Sequence, residues 1–238
     1  MLSVTDSTNA EAARLAPSLS GPAWILAHRQ TAARGRRGRA WAMPEGNFAA
    51  TLVLRPDESP EVVALRSFVA ALALFDAFVA ASGRLEPFAL KWPNDVLLNG
   101  GKVAGILLES VGKGARVGHL AIGIGVNLVA APGAEAVEAD ALRPVSLLGE
   151  TGARVTPEEF LDLLAPAYDA WERVFTGRGF GPVRDAWLAR AARLGEPVTA
   201  RAGTETHFGT FETVDERGAL VLRTAGGQRA IPAAEVFF

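Results

Sequence analysis

The chain contains no cysteine. Disulfides, thiolate metal sites and a cysteine nucleophile are therefore excluded, and a reducing compartment is the natural setting. Histidine is nearly as scarce. His28, His119 and His207 are scattered and read as structural or surface residues, so no protein-held metal is expected. Charge of one sign is not in excess either: 24 Lys and Arg stand against 26 Asp and Glu, a formal net charge of -2. Proteins that coat nucleic acid are usually basic, so no global nucleic-acid signal exists. The first residues, Met1-Leu2-Ser3-Val4-Thr5-Asp6, lack the basic and apolar blocks of a signal peptide. The most apolar long stretch, 62–81, carries Arg66 and Asp76, which reads as a buried helix rather than a membrane span. A cytoplasmic protein without membrane attachment is the expectation. Also missing are the G-x-x-x-x-G-K-[ST], G-x-G-x-x-G, G-x-S-x-G and H-E-x-x-H signatures.

What is present is an ordinary globular composition. The 238 residues are 49% hydrophobic and 21% charged, enough for one large domain, alone or with a small appendage. Thr8-Asn9-Ala10-Glu11 has the form of a capping box and should open a helix to about Leu15. Residues 24–27 and 48–54 read as strands, separated by a long Gly- and Arg-rich loop over 29–46. Pro60 opens a core helix that Gly83 ends. Short strand-like runs follow at 88–92, 96–98, 103–110 and 119–128, with Gly100-Gly101 as a hairpin turn. A second capping box, Thr156-Pro157-Glu158-Glu159, starts a helix to about Thr176, and a further amphipathic helix covers 183–193. After Gly195, short strands at 198–202, 206–214, 219–223 and 229–232 suggest a small β-barrel-like module.

Five stretches could carry chemistry. Arg34-Gly35-Arg36-Arg37-Gly38-Arg39 concentrates cations in a slightly acidic chain. Glycines permit close backbone approach to a ligand, and guanidinium groups grip phosphate oxygens in a fork. A bare arginine cluster is more often a solvated loop or a nucleic-acid patch, and Trp41 directly after it shifts that balance a little. Lys91-Trp92-Pro93-Asn94-Asp95 holds a cation, an amide and a carboxylate on one turn, which meets a ligand or is a structural Asx-type turn. Lys102, flanked by glycines and entering an apolar strand, could deliver fixed positive charge; taken alone it reads better as a surface lysine on a hairpin. Asp6-Ser7-Thr8-Asn9 are all good N-cap residues, but a helix N-terminus also offers N–H groups and hydroxyls to a polar ligand. Asn127 closes the apolar run Gly123-Ile124-Gly125-Val126 and could satisfy backbone groups or read a base edge.

In this order and spacing, the five stretches, together with Gln30-Thr31-Ala32-Ala33 ahead of the arginines and Val103-Ala104-Gly105-Ile106-Leu107 after Lys102, closely resemble the biotin protein ligases. The match covers essentially the whole chain. The resemblance implies an α+β fold: a mixed β-sheet catalytic domain flanked by helices over 1–194, and a C-terminal SH3-like β-barrel over 195–238. It implies ATP with Mg2+ and biotin as substrates, no tightly bound prosthetic group, and the acceptor lysine of a biotin carboxyl carrier domain as partner. It assigns Ser7, Thr8, Asn9 and Gln30 to the ureido ring of biotin. Arg34, Gly35 and Arg36 would close over biotin and the adenylate phosphate. Lys102 would contact the biotin carboxylate and α-phosphate, with Lys102 and Arg36 carrying catalysis. Arg39, Trp41, Lys91, Asn94, Asp95 and Asn127 fall on the nucleotide side.

Two departures stand out. Ala33 and Ala234 occupy positions where the family usually or often has glycine. If position 33 needs a positive φ, alanine costs about 1 kcal/mol. Many bacterial relatives carry an N-terminal helix-turn-helix; with the first motif at Asp6, a ligase without repressor function is expected. Monomer and homodimer stay open. A lipoate-type ligase is the nearest alternative, and a nucleic-acid binder using the basic loop or a non-catalytic ligand sensor are rivals from other classes.

Overall fold

The computed structural model describes residues 1–113, 116–133 and 142–238. Seven strands form the first sheet: β1 (Leu2–Thr5), β2 (Ala23–Gln30), β3 (Phe48–Leu54), β4 (Phe88–Lys91), β5 (Asp95–Leu98), β6 (Gly101–Lys113) and β7 (Arg116–Val126). Their order is β1-β2-β3-β7-β6-β5-β4. The β1–β2 pair is parallel and the remaining pairs are antiparallel, so the sheet is mixed. Helices α1 (Thr8–Leu15), α2 (Pro60–Ala64), α3 (Arg66–Ser82), α4 (Leu147–Thr151), α5 (Pro157–Arg178) and α6 (Phe180–Leu188) flank it.

Helix α3 is the centre of the core. Val69, Leu72 and Leu74 are fully buried against strand and helix neighbours. Pro60–Ser82 is long and apolar enough to cross a membrane, but 72% of that window is buried inside the fold. The expected single helix from Pro60 is broken at Leu65, where tighter i→i−3 contacts (Leu65 N–H to Val62 O, 3.1 Å; Phe68 N–H to Leu65 O, 3.0 Å) divide it. The break sets Arg66 inward, paired with Glu58 at 2.7 Å and Glu172 at 2.8 Å. Gly83 ends α3 in the left-handed conformation, as its sequence position suggested.

The capping box at Thr156 forms with both reciprocal hydrogen bonds. The one expected at Thr8 does not. Ser7 is the N-cap, without a side-chain cap bond; Thr8 turns to Gln30 and Glu11 to Arg14. The α6 helix begins and ends earlier than 183–193, closed off before Arg193, which adopts a positive φ. The hairpin turn between β5 and β6 is Asn99-Gly100 rather than Gly100-Gly101: both have positive φ, and Gly101 already pairs with Leu98.

The C-terminal strands are β8 (Pro197–Ala202), β9 (Glu205–Val214), β10 (Leu220–Thr224), β11 (Gly227–Ile231) and β12 (Glu235–Phe237). They form one antiparallel sheet ordered β11-β10-β9-β8-β12. This is an SH3-like curl that is left open, since no β11–β12 pairing closes it among the described residues. The two sheets share a continuous core: Trp187 packs on Phe68 and Phe211, and the Trp92 indole N–H donates to Gly218 O at 3.0 Å. That buried bond fixes the small sheet next to the turn after β4.

Candidate active site

One end of the site is a polar cluster where α1 meets the sheet. Thr8 N–H donates to Gln30 Oε1 at 2.8 Å, and the Thr8 hydroxyl lies 3.2 Å from the same oxygen. Thr51 Oγ1, fully buried on β3, sits 2.8 Å from Thr8 Oγ1 and 2.7 Å from Asn9 Oδ1. A hydroxyl has one proton, so Thr51 donates to the Asn9 carbonyl oxygen and accepts from Thr8. Asn9 Nδ2 then donates to Glu109 Oε2 at 2.6 Å, which fixes the amide orientation. A side chain at Gly123 would collide with Asn9 Oδ1 at 2.3 Å, so glycine is what admits the amide. Ser7, Thr8 and Asn9 are buried yet border open space.

The middle of the site is floored by Trp41. Gly105 and Gly125 are cross-strand partners on β6 and β7, and the indole lies over both. A Cβ at Gly125 would meet the ring at 2.7 Å. Lys102 Nζ stands 5.5 Å from the Trp41 ring centroid and 2.7 Å from Asp95 Oδ1. Asp95 faces Lys91 across the β4–β5 pair, with Lys91 Nζ 3.9 Å from its other oxygen. Burial pulls the Lys91 ammonium below the ordinary lysine value, an effect Asp95 opposes. Asn94 is engaged with β6 through both its backbone and its side-chain amide, which meet Ile106. Asn127 donates to Val145 O at 3.1 Å and accepts from Asn47 Nδ2 at 3.4 Å, so both ends of its amide are engaged within the fold.

The arginine segment is more ordered than the long loop its composition suggests. Arg34 and Ala40 form an antiparallel bridge, Gly35 N–H donates to Arg39 O at 2.7 Å, and Arg36–Gly38 make a 3₁₀ turn at the tip. Ala33 is not among the positive-φ residues, and its carbonyl accepts from Trp41 N–H at 3.0 Å. Alanine is therefore unstrained there, and the same holds for the buried Ala234. Three arginines are tethered: Arg34 to Glu109 at 3.1 Å, and Arg37 (2.9 Å) and Arg39 to Glu235 of the small sheet. Arg36 makes no ion pair within 4.0 Å among the described residues. Its guanidinium is held below the usual arginine range by burial, an effect that the charge of Asp95 opposes, and stays charged.

These parts line a single cavity of about 590 Å³, within the ~300–1,000 Å³ range of small-molecule sites. Every site residue singled out from the sequence, from Ser7 to Asn127, borders it. A family model described as "Biotin/lipoate A/B protein ligase family" matches residues 1–127, and one described as "Biotin protein ligase C terminal domain" matches residues 194–238. The chain is 63% identical to a biotin–[acetyl-CoA-carboxylase] ligase of Paracoccus denitrificans, over all of this chain and 99% of that one. The chain belongs to the biotin/lipoate A/B protein ligase family. It is also 31% identical, over 89% of its length, to the bifunctional ligase/repressor BirA of Bacillus subtilis, and spans 65% of that longer protein. Among solved structures it resembles a biotin protein ligase from Aquifex aeolicus in complex with biotin and ATP, with a TM-score of 0.81 and 28% identity over 99% of this chain and 95% of that one.

Four residues that hold the cavity lining of this biotin/lipoate-family ligase in place were not found from its sequence: Thr51, Glu109, Glu235 and Asn47. Asn47 orders the chain after β7 by accepting from Val129 N–H at 2.9 Å. A polar residue inside an otherwise apolar strand was the available signal for Thr51. Nothing local marks the two glutamates, because their partners lie 75 to 198 residues away.

Proposed function

We propose that this ligase activates biotin with ATP and transfers it to a lysine of a biotin carboxyl carrier domain. The observation that carries the reading is the pairing, within one cavity, of an oriented amide and hydroxyl cluster with a cationic wall formed by Lys102 and Arg36. Ser7, Thr8, Asn9 and Gln30 suit a ureido ring, which both donates and accepts hydrogen bonds. The apolar arm would lie along the Trp41 side, bringing the carboxylate to Lys102.

A carboxylate does not acylate an amine at neutral pH without activation. In the first step its oxygen attacks the α-phosphorus of ATP, the bond to the β-phosphate breaks, and pyrophosphate leaves. In the second, the carrier lysine attacks the acyl carbon, AMP leaves with the bonding electrons, and the ammonium proton passes to solvent. No side-chain nucleophile is required. Charge neutralisation and positioning supply the catalysis. Lys102 and Arg36 would face the negative charge gathered at the α-phosphate, with Arg34, Gly35 and Arg39 shaping the lid. Lys91, Asn94, Asp95, Trp41 and Asn127 would line the nucleotide side. Magnesium is taken as part of the MgATP substrate. Residues 1–194 would form the catalytic unit and 195–238 the appended module, acting in the cytoplasm.

The test is incubation of the protein with ATP, an isolated biotin carrier domain and either biotin or lipoate, read by mass spectrometry. A mass increase of one biotinyl group, dependent on ATP, is expected. Lipoyl transfer without biotinyl transfer would overturn the reading.

A further inference from the structure

Glu235 sits on β12, at the edge of the small sheet, yet its carboxylate meets two arginines of the loop nearly two hundred residues earlier. Arg37 Nη1 lies 2.9 Å from Glu235 Oε2, and Arg39 Nη2 lies 3.1 Å from the same oxygen, while Arg39 Nη1 meets Oε1. The side chain is only 20% exposed, so these pairs are partly shielded from solvent. The anchor is tied to the main core. Trp92 ties the small sheet to the β4–β5 turn through its bond to Gly218, and Gly218 is packed against Leu65 and Phe68. The loop, by contrast, carries strain. Arg37 occupies the left-handed region at φ 57, which a non-glycine residue seldom adopts without outside support. The bonds within the segment close the strand-like base, and Glu235 reaches its tip from outside.

We propose that Glu235 is a positioning residue of the ligase: it clamps Arg37 and Arg39 so that Arg36, between them, is presented to the substrate phosphates. Arg36 borders the cavity and makes no ion pair within 4.0 Å among the described residues. Division of labour follows. Two guanidinium groups share one carboxylate and hold shape, and a third is left to meet a ligand. The small sheet thereby contributes to the first half-reaction without touching the reacting atoms. The presentation of Arg36 to phosphate rests on the ligase reading above, whereas the clamp itself does not.

Two readouts separate these. The arginine loop is a run of trypsin sites, and a clamped loop is cut only when it opens. In Glu235→Gln, which keeps shape and removes charge, we expect cleavage after Arg36, Arg37 and Arg39 to speed up about tenfold, with cleavage elsewhere in the chain unchanged. In biotin-dependent ATP–pyrophosphate exchange, the same variant should raise the KM for ATP by about tenfold and leave the KM for biotin within about twofold. A merely structural lesion would accelerate cleavage throughout and lower kcat for every substrate alike. Arg37→Gln, at an exposed position, removes one arm of the clamp and should show a smaller effect in the same direction, which keeps the test open if Glu235→Gln folds poorly. Loop cleavage and ATP dependence unchanged in both variants would overturn the proposal. Absent exchange in the unaltered protein, with cleavage still accelerated in Glu235→Gln, would instead count against the ligase reading and leave the clamp standing.

Discussion

Gly123→Ala should damage the ring end of the site more than the removal of a single hydrogen bond would. Gly123 lies on β7, paired with Thr51 of β3 on one side and Leu107 of β6 on the other. A strand held on both edges cannot retreat. A methyl group there would stand 2.3 Å from Asn9 Oδ1 and 2.9 Å from Asn9 Cγ. Asn9 must therefore move by more than about 1 Å to reach ordinary contact distance. It is buried, and that movement breaks the 2.7 Å bond from Thr51 and the 2.6 Å bond to Glu109. Overpacking costs about 1–3 kcal/mol and each buried bond about 1–2 kcal/mol more, some of it recovered by relaxation. We expect a net loss of about 2–4 kcal/mol, or a Tm lower by on the order of 5–15 °C. Biotin affinity, followed by titration calorimetry, should fall at least about tenfold, because the amide presented to the ring is displaced. Gly177→Ala is the internal control. It lies in α5 with no heavy atom near the added methyl and no positive φ, so it should be neutral or stabilising by up to about 1 kcal/mol. A Gly123→Ala protein with unchanged Tm and biotin affinity within about twofold of the parent would refute the reasoning.

Other outcomes follow from the same geometry. Lys102→Ala should reduce ATP–pyrophosphate exchange by about 10²-fold or more while the protein stays folded, since Lys102 is partly exposed and holds up no core contact; near-normal exchange would remove its assigned role. Arg66→Ala should lower stability by about 3–5 kcal/mol in a urea titration, because Glu58 and Glu172 would be left facing each other without their shared cation. Lys91 gives a pH signature. Its folded-state pKa is below the ordinary 10.5, so between the two values the unfolded chain binds more protons, and stability from this group rises with pH. Replacing Lys91 with Met should flatten that slope in urea titrations taken at rising pH up to 10.5; an equal slope in both proteins would show that burial does not weigh on this ammonium.

What could be read from the sequence was whatever is written locally. The Thr156 capping box, the Pro60 start and Gly83 stop of the core helix, and the short strands after Gly195 each depend on neighbours a few residues away, and each formed. Thr8 shows the limit. Its hydroxyl matched a capping box in sequence, but Gln30 and Thr51 compete for it in the fold, and the tertiary partners won. The split at Leu65 has the same origin, since Arg66 turns inward toward a glutamate 106 residues later. Strand β1 was invisible because four residues carry no period; parallel pairing with β2 defines it. The candidate site was legible as a set of motifs, but that Gly123 and Gly125 admit Asn9 and Trp41 against the strand emerges only from the fold. Which partner holds each motif in place was not legible, because Glu109 and Glu235 are ordinary surface-type residues until folding brings them to their arginines.

Those two glutamates and Asp95 also account for how so many cations share one cleft before any substrate arrives. Arg34, Arg37, Arg39, Lys91 and Lys102 each have a carboxylate within 4.0 Å. Unpaired cations in a half-desolvated cleft would repel one another and shift toward solvent. Pairing keeps them charged and oriented, which is the condition for electrostatic stabilisation without reorganisation at the moment of reaction. An incoming phosphate then meets cations already partly neutralised, so binding strength is moderated for substrate and AMP alike. Arg36, the least compensated of the cations, is where additional negative charge gains most. Five cations share three carboxylates, so net positive charge remains in the cleft after pairing, and Arg36, which has no ion pair of its own among the described residues, adds to it.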